Sequence, residues 1–264
     1  MRTFVRPRLV LAAAVPLAGI SLAGMGLLTA QALYAARRRL PYFPDLDPSG
    51  KFGQEEARAL RVVAMGDSTV TGPGLDEPDP IWVRQVARHL AEGHRVELLS
   101  IARGGARVRD VLADQVPKAV ALQPDLVLLS VGGNDALRGT PLRRLEQELD
   151  QVVSRLTSAG AAVALLGVGD LGTIPRLPRT LAALARLRGR LVDAVEARVA
   201  ARYPGVAKAD SWGASVTEAF RRRGELFSPD LFHVSARGHS EWAALAIPAV
   251  EKALLRLQPS EGEP

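Results

Sequence analysis

No cysteine occurs among the 264 residues. That absence excludes a disulfide framework, thiolate zinc sites, a cysteine nucleophile and acylation at an N-terminal lipoprotein cysteine. Lysine is nearly missing too: Lys51, Lys118, Lys208 and Lys252 are the only four among 34 basic residues. No Gly-Lys-Ser/Thr phosphate loop exists, and the glycine turn at Gly66-Asp67-Ser68 is not a GxGxxG, so no nucleotide cofactor is expected. A Gly-x-Ser-x-Gly elbow is absent, which argues against the α/β-hydrolase arrangement of a serine nucleophile. His89 and His94 are five apart with no HExxH, so they do not read as a metal pair. Asp45-x-Asp47-x-Ser49-Gly50 with Glu56 loosely matches a calcium loop, but Pro44 and Pro48 break the helix that such a loop needs. No metal is expected.

The net charge of +6 suggests nucleic acid until the charges are located. Residues 1–39 hold Arg2, Arg6, Arg8, Arg37, Arg38 and Arg39 and no acid, and the rest of the chain is balanced at 28 basic against 28 acidic residues. A nucleic-acid binder carries its basic excess on the folded domain. None is expected here. Between the two arginine groups, Leu9 to Leu33 run 25 residues without a charge. At about 1.5 Å per residue, such a helix exceeds the ~30 Å hydrocarbon core. Residues 1–39 therefore read as an uncleaved signal anchor holding the domain at the cell membrane, on its extracytoplasmic side. The competing reading is a secreted protein cleaved near Ala30-Gln31-Ala32.

Residues 40–58 follow, opening on a Pro/Gly-rich stretch (40–53) that reads as a tether. Residues 59–258 form the expected domain and 259–264 a tail. Within the domain, short, mainly apolar runs (60–65, 96–99, 126–131, 161–168, 206–209) alternate with helical stretches (81–92, 108–121, 141–159, 180–202, 236–257). That alternation predicts an α/β fold, a parallel sheet covered on both faces. Chemistry in such sheets sits beyond the carboxyl ends of the strands.

Four strand-end or helix-start segments carry suitable groups. They are Gly66-Asp67-Ser68-Thr69, Arg103-Gly104-Gly105-Ala106, Gly132-Gly133-Asn134-Asp135 and Asp230-Leu231-Phe232-His233. Together they supply a hydroxyl, backbone and amide donors, and an imidazole with a carboxylate three residues away. Ser68 is the candidate nucleophile, His233 its base and Asp230 the group that orients His233. The N–H groups of Ser68 and Gly105 and the side-chain amide of Asn134 are candidate oxyanion donors. Taken singly, each segment also reads as a turn or a helix cap. It is their conjunction that points to acyl transfer. His239 lacks a carboxylate three residues earlier and is expected on the last helix, facing the sheet edge or solvent. The loop 170–179, with Ile174, Pro175, Leu177 and Pro178, reads either as an acyl groove or as a loop packed on the next helix.

The order of these four blocks resembles the SGNH/GDSL hydrolase superfamily over about residues 60–257. Gly132-Gly133-Asn134-Asp135-Ala136-Leu137-Arg138-Gly139 is similar to the block of its thioesterase, lysophospholipase and arylesterase branch. The resemblance implies a flavodoxin-like three-layer α/β/α fold with a five-stranded parallel sheet, no cofactor, and the residue roles given above. Ser100 and Val234 depart from the family pattern, at positions where asparagine and proline are common. The implied activity is a serine esterase or lipase-type hydrolase acting on carboxylic esters or thioesters, lysophospholipids among them. A deacetylase of cell-envelope glycans would use the same residues. A catalytically silent envelope-binding module is the reading from another class.

Overall fold

The computed structural model describes residues 41–222 and 224–255, and before them Gly24, Gly26, Leu27, Thr29, Ala30, Gln31, Leu33, Tyr34 and Arg37. Most of the apolar run 9–33, and the tail 259–264, lie outside the described residues. No helix among the described residues is long and apolar enough to cross a membrane.

Six strands form one sheet: β1 (Gly50–Phe52), β2 (Ala59–Gly66), β3 (Arg95–Ser100), β4 (Leu126–Ser130), β5 (Ala162–Leu165) and β6 (Val206–Lys208). Their spatial order is β1-β3-β2-β4-β5-β6. Strands β2 to β6 run parallel. The five parallel strands thus follow the 2-1-3-4-5 order of a flavodoxin-like sheet. Alternation sends Val63, Met65, Val127, Leu129, Val163 and Leu165 to one face. Val62, Ala64, Leu126, Leu128, Ala162 and Ala164 go to the other. Both faces are covered, which is why every position of β4 and β5 is buried and all but Ser130 is apolar.

The helices, in chain order, are α1 (Ser68–Thr71), α2 (Trp82–Leu90), α3 (Val108–Asp110), α4 (Val116–Ala121), α5 (Gly133–Arg138), α6 (Leu142–Ser158), α7 (Arg179–Ala200), α8 (Ala214–Arg222) and α9 (Ala236–Leu255). The first face is packed by α3, α4, α6 and α7, and the second by α2 and α9. On α6 the inward stripe is Leu145, Leu149, Val152, Val153 and Leu156, all fully buried at helical spacing.

Three expectations need correction. The sheet gains a sixth strand, because part of the stretch read as a tether is built into it. Gly50–Phe52 pairs antiparallel with β3, and Ser49 Oγ accepts the Ser100 N–H at 2.9 Å. Pro44 and Pro48 keep this strap extended, so it lies along the sheet instead of swinging free. The stretch 161–168 is a strand only as far as Leu165, because beyond it Gly167 turns at φ 82° and the chain leaves the sheet. The helix expected over 108–121 is divided by a π-helical turn at Val111–Gln115, just before Pro117, which has no N–H to donate. Helix α8 was not expected at all.

Candidate active site

The parallel order reverses between β2 and β4, and the crevice beyond their carboxyl ends holds most of the sequence-predicted residues. Gly66 ends β2 at φ 135°, and a Cβ there would lie 1.8 Å from the Ser130 carbonyl oxygen, so only glycine fits. Gln115, on the π turn, holds this residue from below. Its amide oxygen accepts the Gly66 N–H at 2.7 Å, and its Nε2 donates to the Gly66 carbonyl at 2.8 Å. Asp67 then caps α1 by accepting the Thr69 N–H at 2.9 Å, which leaves Ser68 at the first helical position.

Burial pushes the Asp67 carboxyl up from its usual range, against hydrogen bonds from Thr69 and Asn134 that favour the anion. Asn134 sits on α5, which β4 feeds. Its Nδ2 donates to Asp67 Oδ2 and to the Ala106 carbonyl, each at 3.2 Å. Both amide hydrogens are therefore engaged, so any further acceptor would have to replace one of these partners.

Gly105 adopts φ 73° in the turn after β3. The neighbouring N–H of Gly104 is held by Asp45 Oδ2 at 2.8 Å, and that of Ala106 by the Arg103 carbonyl at 3.2 Å. The Gly105 N–H itself has no hydrogen-bond partner among the described residues. Asp45 also accepts the Thr71 hydroxyl at 2.7 Å, clamping α1 to the glycine turn. This carboxylate comes from the strap and acts as a brace; no group of acidic or histidine side chains suited to a metal occurs among the described residues.

His233 Nδ1 lies 2.6 Å from Asp230 Oδ2. The other oxygen, Oδ1, accepts the Ser228 hydroxyl at 2.7 Å and the N–H groups of Phe232 and His233 at 2.9 Å each. Burial raises the Asp230 pKa, but these four partners outweigh it and hold the carboxyl below its ordinary value. Leu231 pays conformationally for the tight turn by adopting φ 59°.

Ser68, Asn134 and His233 line one cavity of about 140 Å³. Asp230 stands behind His233, and Gly105 lies in the turn after β3. Its apolar lining includes Ile174, Phe220, Phe227, Phe232, Trp242 and Leu245. Ile174 and Leu177 pack with this cluster, so the loop 170–179 both lines the cavity and packs on its neighbours. His239 corrects its expectation: it lies on α9 but is buried, its Nδ1 facing the Trp82 N–H at 3.4 Å.

Sequence reasoning missed four residues here: Asp45, Gln115, His239 as a wall of the cavity, and Glu196. The Glu196 carboxyl accepts the Val168 N–H at 2.9 Å, and burial raises its pKa to about 8. A GxGxxG spacing also occurs, at Gly167-Val168-Gly169-Asp170-Leu171-Gly172. It opens only a single 3-10 turn, Leu171–Thr173, and the next α-helix, α7, begins only at Arg179. A Cβ at Gly167 would lie 2.8 Å from Lys208 Nζ, and one at Gly172 2.7 Å from the Ala182 carbonyl. These glycines permit close packing, not dinucleotide binding.

Such an arrangement can activate a hydroxyl and hold an acyl group beside donors. Residues 64–240 match the GDSL-like lipase/acylhydrolase family. The chain is 31% identical to a GDSL-like esterase of Mycobacterium tuberculosis over 78% of this chain and 67% of that protein. It is 34% identical to the esterase TesA of Pseudomonas aeruginosa over 43% of this chain and 57% of that protein. Its fold is similar to the crystal structure of an enzyme from the metagenome of Lake Arreo, Spain. There the TM-score is 0.60 and the identity 22%, over 75% of this chain and 97% of that one. The chain belongs to the GDSL-like lipase/acylhydrolase family, and its reaction is the hydrolysis of a carboxylic ester.

Proposed function

We propose that Ser68 is the nucleophile, His233 its general base and Asp230 the group that fixes His233. The supporting observation is that Ser68, Asn134 and His233 line a single cavity while His233 is held from behind by Asp230 at 2.6 Å. With Nδ1–H bonded to Asp230, His233 Nε2 is the acceptor for the Ser68 proton. Ser68 Oγ then attacks the ester carbonyl carbon. The oxyanion takes hydrogen bonds from the N–H groups of Ser68 and Gly105 and from Asn134, which gives up its bond to the Ala106 carbonyl. His233 returns the proton to the leaving oxygen. Water repeats the sequence in reverse, releasing the acid and freeing Ser68.

The apolar wall from Ile174 to Leu245 suits an acyl chain longer than acetyl. Fatty acyl esters are the proposed substrates, with thioesters and lysophospholipids inside that class. We also propose that residues 9–33 hold the enzyme at the extracytoplasmic face of the cell membrane, a reading that rests on their charge-free length. The test is hydrolysis of p-nitrophenyl acetate, butyrate and octanoate by the full chain. Rising kcat/KM with chain length supports the fatty acyl reading, whereas a preference for acetate supports a deacetylase.

A further inference from the structure

Several polar side chains line the cavity, and two of them, outside the proposed mechanism, lack a complete set of partners among the described residues. His239 lines it from the first turns of α9, its ring edge-on to Trp242 with centroids 5.3 Å apart. A backbone N–H can only donate, so the contact from the Trp82 N–H makes Nδ1 the acceptor and places the ring hydrogen on Nε2. Burial keeps this imidazole neutral, its pKa lowered to about 3. Nε2–H is thus a fixed donor in a cavity-lining residue, without an acceptor among the described residues. Thr217, on α8, lines the same cavity, and its hydroxyl is buried without a hydrogen-bond partner among the described residues. Buried polar groups are nearly always paired, and the other polar side chains of this lining have partners, so the two open ones call for a ligand atom.

We propose that the cavity takes an acyl chain bearing an oxygen along its length, a hydroxyacyl or oxoacyl ester, with that oxygen held by His239 Nε2–H and the Thr217 hydroxyl. A chain hydroxyl satisfies both groups at once, accepting from His239 and donating to Thr217. An unsubstituted chain leaves both unpaired, and a site built to hydrogen-bond a substrate oxygen discriminates against the analogue that lacks it. The assignment rests on the reading of this cavity as the acyl site.

The experiment compares the full chain on p-nitrophenyl octanoate and on its 3-, 4-, 5- and 6-hydroxy counterparts. A parallel pair, ethyl octanoate and 2-hydroxyethyl octanoate, places the hydroxyl on the alcohol side instead. The expected result is a kcat/KM ratio of hydroxy to plain octanoate of roughly tenfold or more for at least one position. In Thr217→Val, which keeps the shape and removes the hydroxyl, that ratio falls toward one. A wild-type ratio near one at every position overturns the inference and leaves the esterase mechanism standing, as does a preference seen only on the alcohol side. A ratio that survives in Thr217→Val removes Thr217 from the proposed site. Failure to hydrolyse any of these esters overturns the underlying mechanism and this inference with it.

Discussion

His233 and Asp230 are joined twice: Nδ1 meets Asp230 Oδ2 at 2.6 Å, and the His233 N–H meets Oδ1 at 2.9 Å. One carboxylate therefore sets both the ring and the backbone of the proposed base. Asp230→Asn replaces one acceptor oxygen by a donor, so the imidazole loses its tautomer-fixing partner. The expected loss in kcat is about 10³-fold or more, with KM changed far less. The measurement is steady-state hydrolysis of p-nitrophenyl butyrate, and a loss below tenfold contradicts the role.

In the proposed mechanism Asn134 exchanges its bond to the Ala106 carbonyl for one to the oxyanion. Asn134→Ala is expected to lower kcat by about 10²-fold or more. The variant also frees Asp67 Oδ2 from its amide partner. Thermal unfolding measured beside activity separates the two effects. A rate loss matched by collapse of the fold contradicts a direct catalytic role.

Asp45 braces Thr71 and Gly104 although it comes from the proline-bearing strap. Asp45→Ala is expected to cost on the order of 1 kcal/mol of stability. It should also lower kcat by about tenfold, because the Gly104–Gly105 turn and the helix that begins at Ser68 lose their common clamp. Denaturant unfolding and kcat together check this, and an unchanged kcat removes Asp45 from the site.

Burial pushes the Glu196 carboxyl up to about 8, from about 4.5 in the unfolded chain. Between these values the folded state holds a proton that the unfolded chain has released, so this group makes stability fall as pH rises from about 4.5 to 8. His239 works in the opposite sense from about 3 to 6.5, where only the unfolded chain is protonated and stability rises with pH. The Glu196 effect is thus clearest between pH 6.5 and 8. Glu196→Gln is expected to flatten that part of the stability curve, by up to about 1.4 kcal/mol per pH unit. Chemical denaturation at pH 6.5, 7.25 and 8 measures it, and parallel curves for variant and wild type contradict the assignment.

The parallel sheet was legible because β4 and β5 are apolar on both faces, a pattern set by local composition alone. The proposed site was legible because each of its groups follows a strand or precedes a helix, where short motifs show. Gln115, Asp45 and Glu196 were not. Each acts on a backbone group 49, 59 or 28 residues away, and such side-chain to backbone contacts leave no periodic trace. The strap failed as a tether for a related reason. Proline and glycine mark the lack of regular helix, and they say nothing about a neighbouring edge strand that an extended segment can join.

The most direct test of the central claim is covalent labelling of the full chain with a fluorophosphonate, followed by peptide mass spectrometry and ester hydrolysis of the same sample. The account predicts one adduct, on the peptide containing Ser68, with activity lost in step with labelling, and neither adduct nor turnover in Ser68→Ala. An adduct on another residue, or hydrolysis that persists in Ser68→Ala, contradicts it.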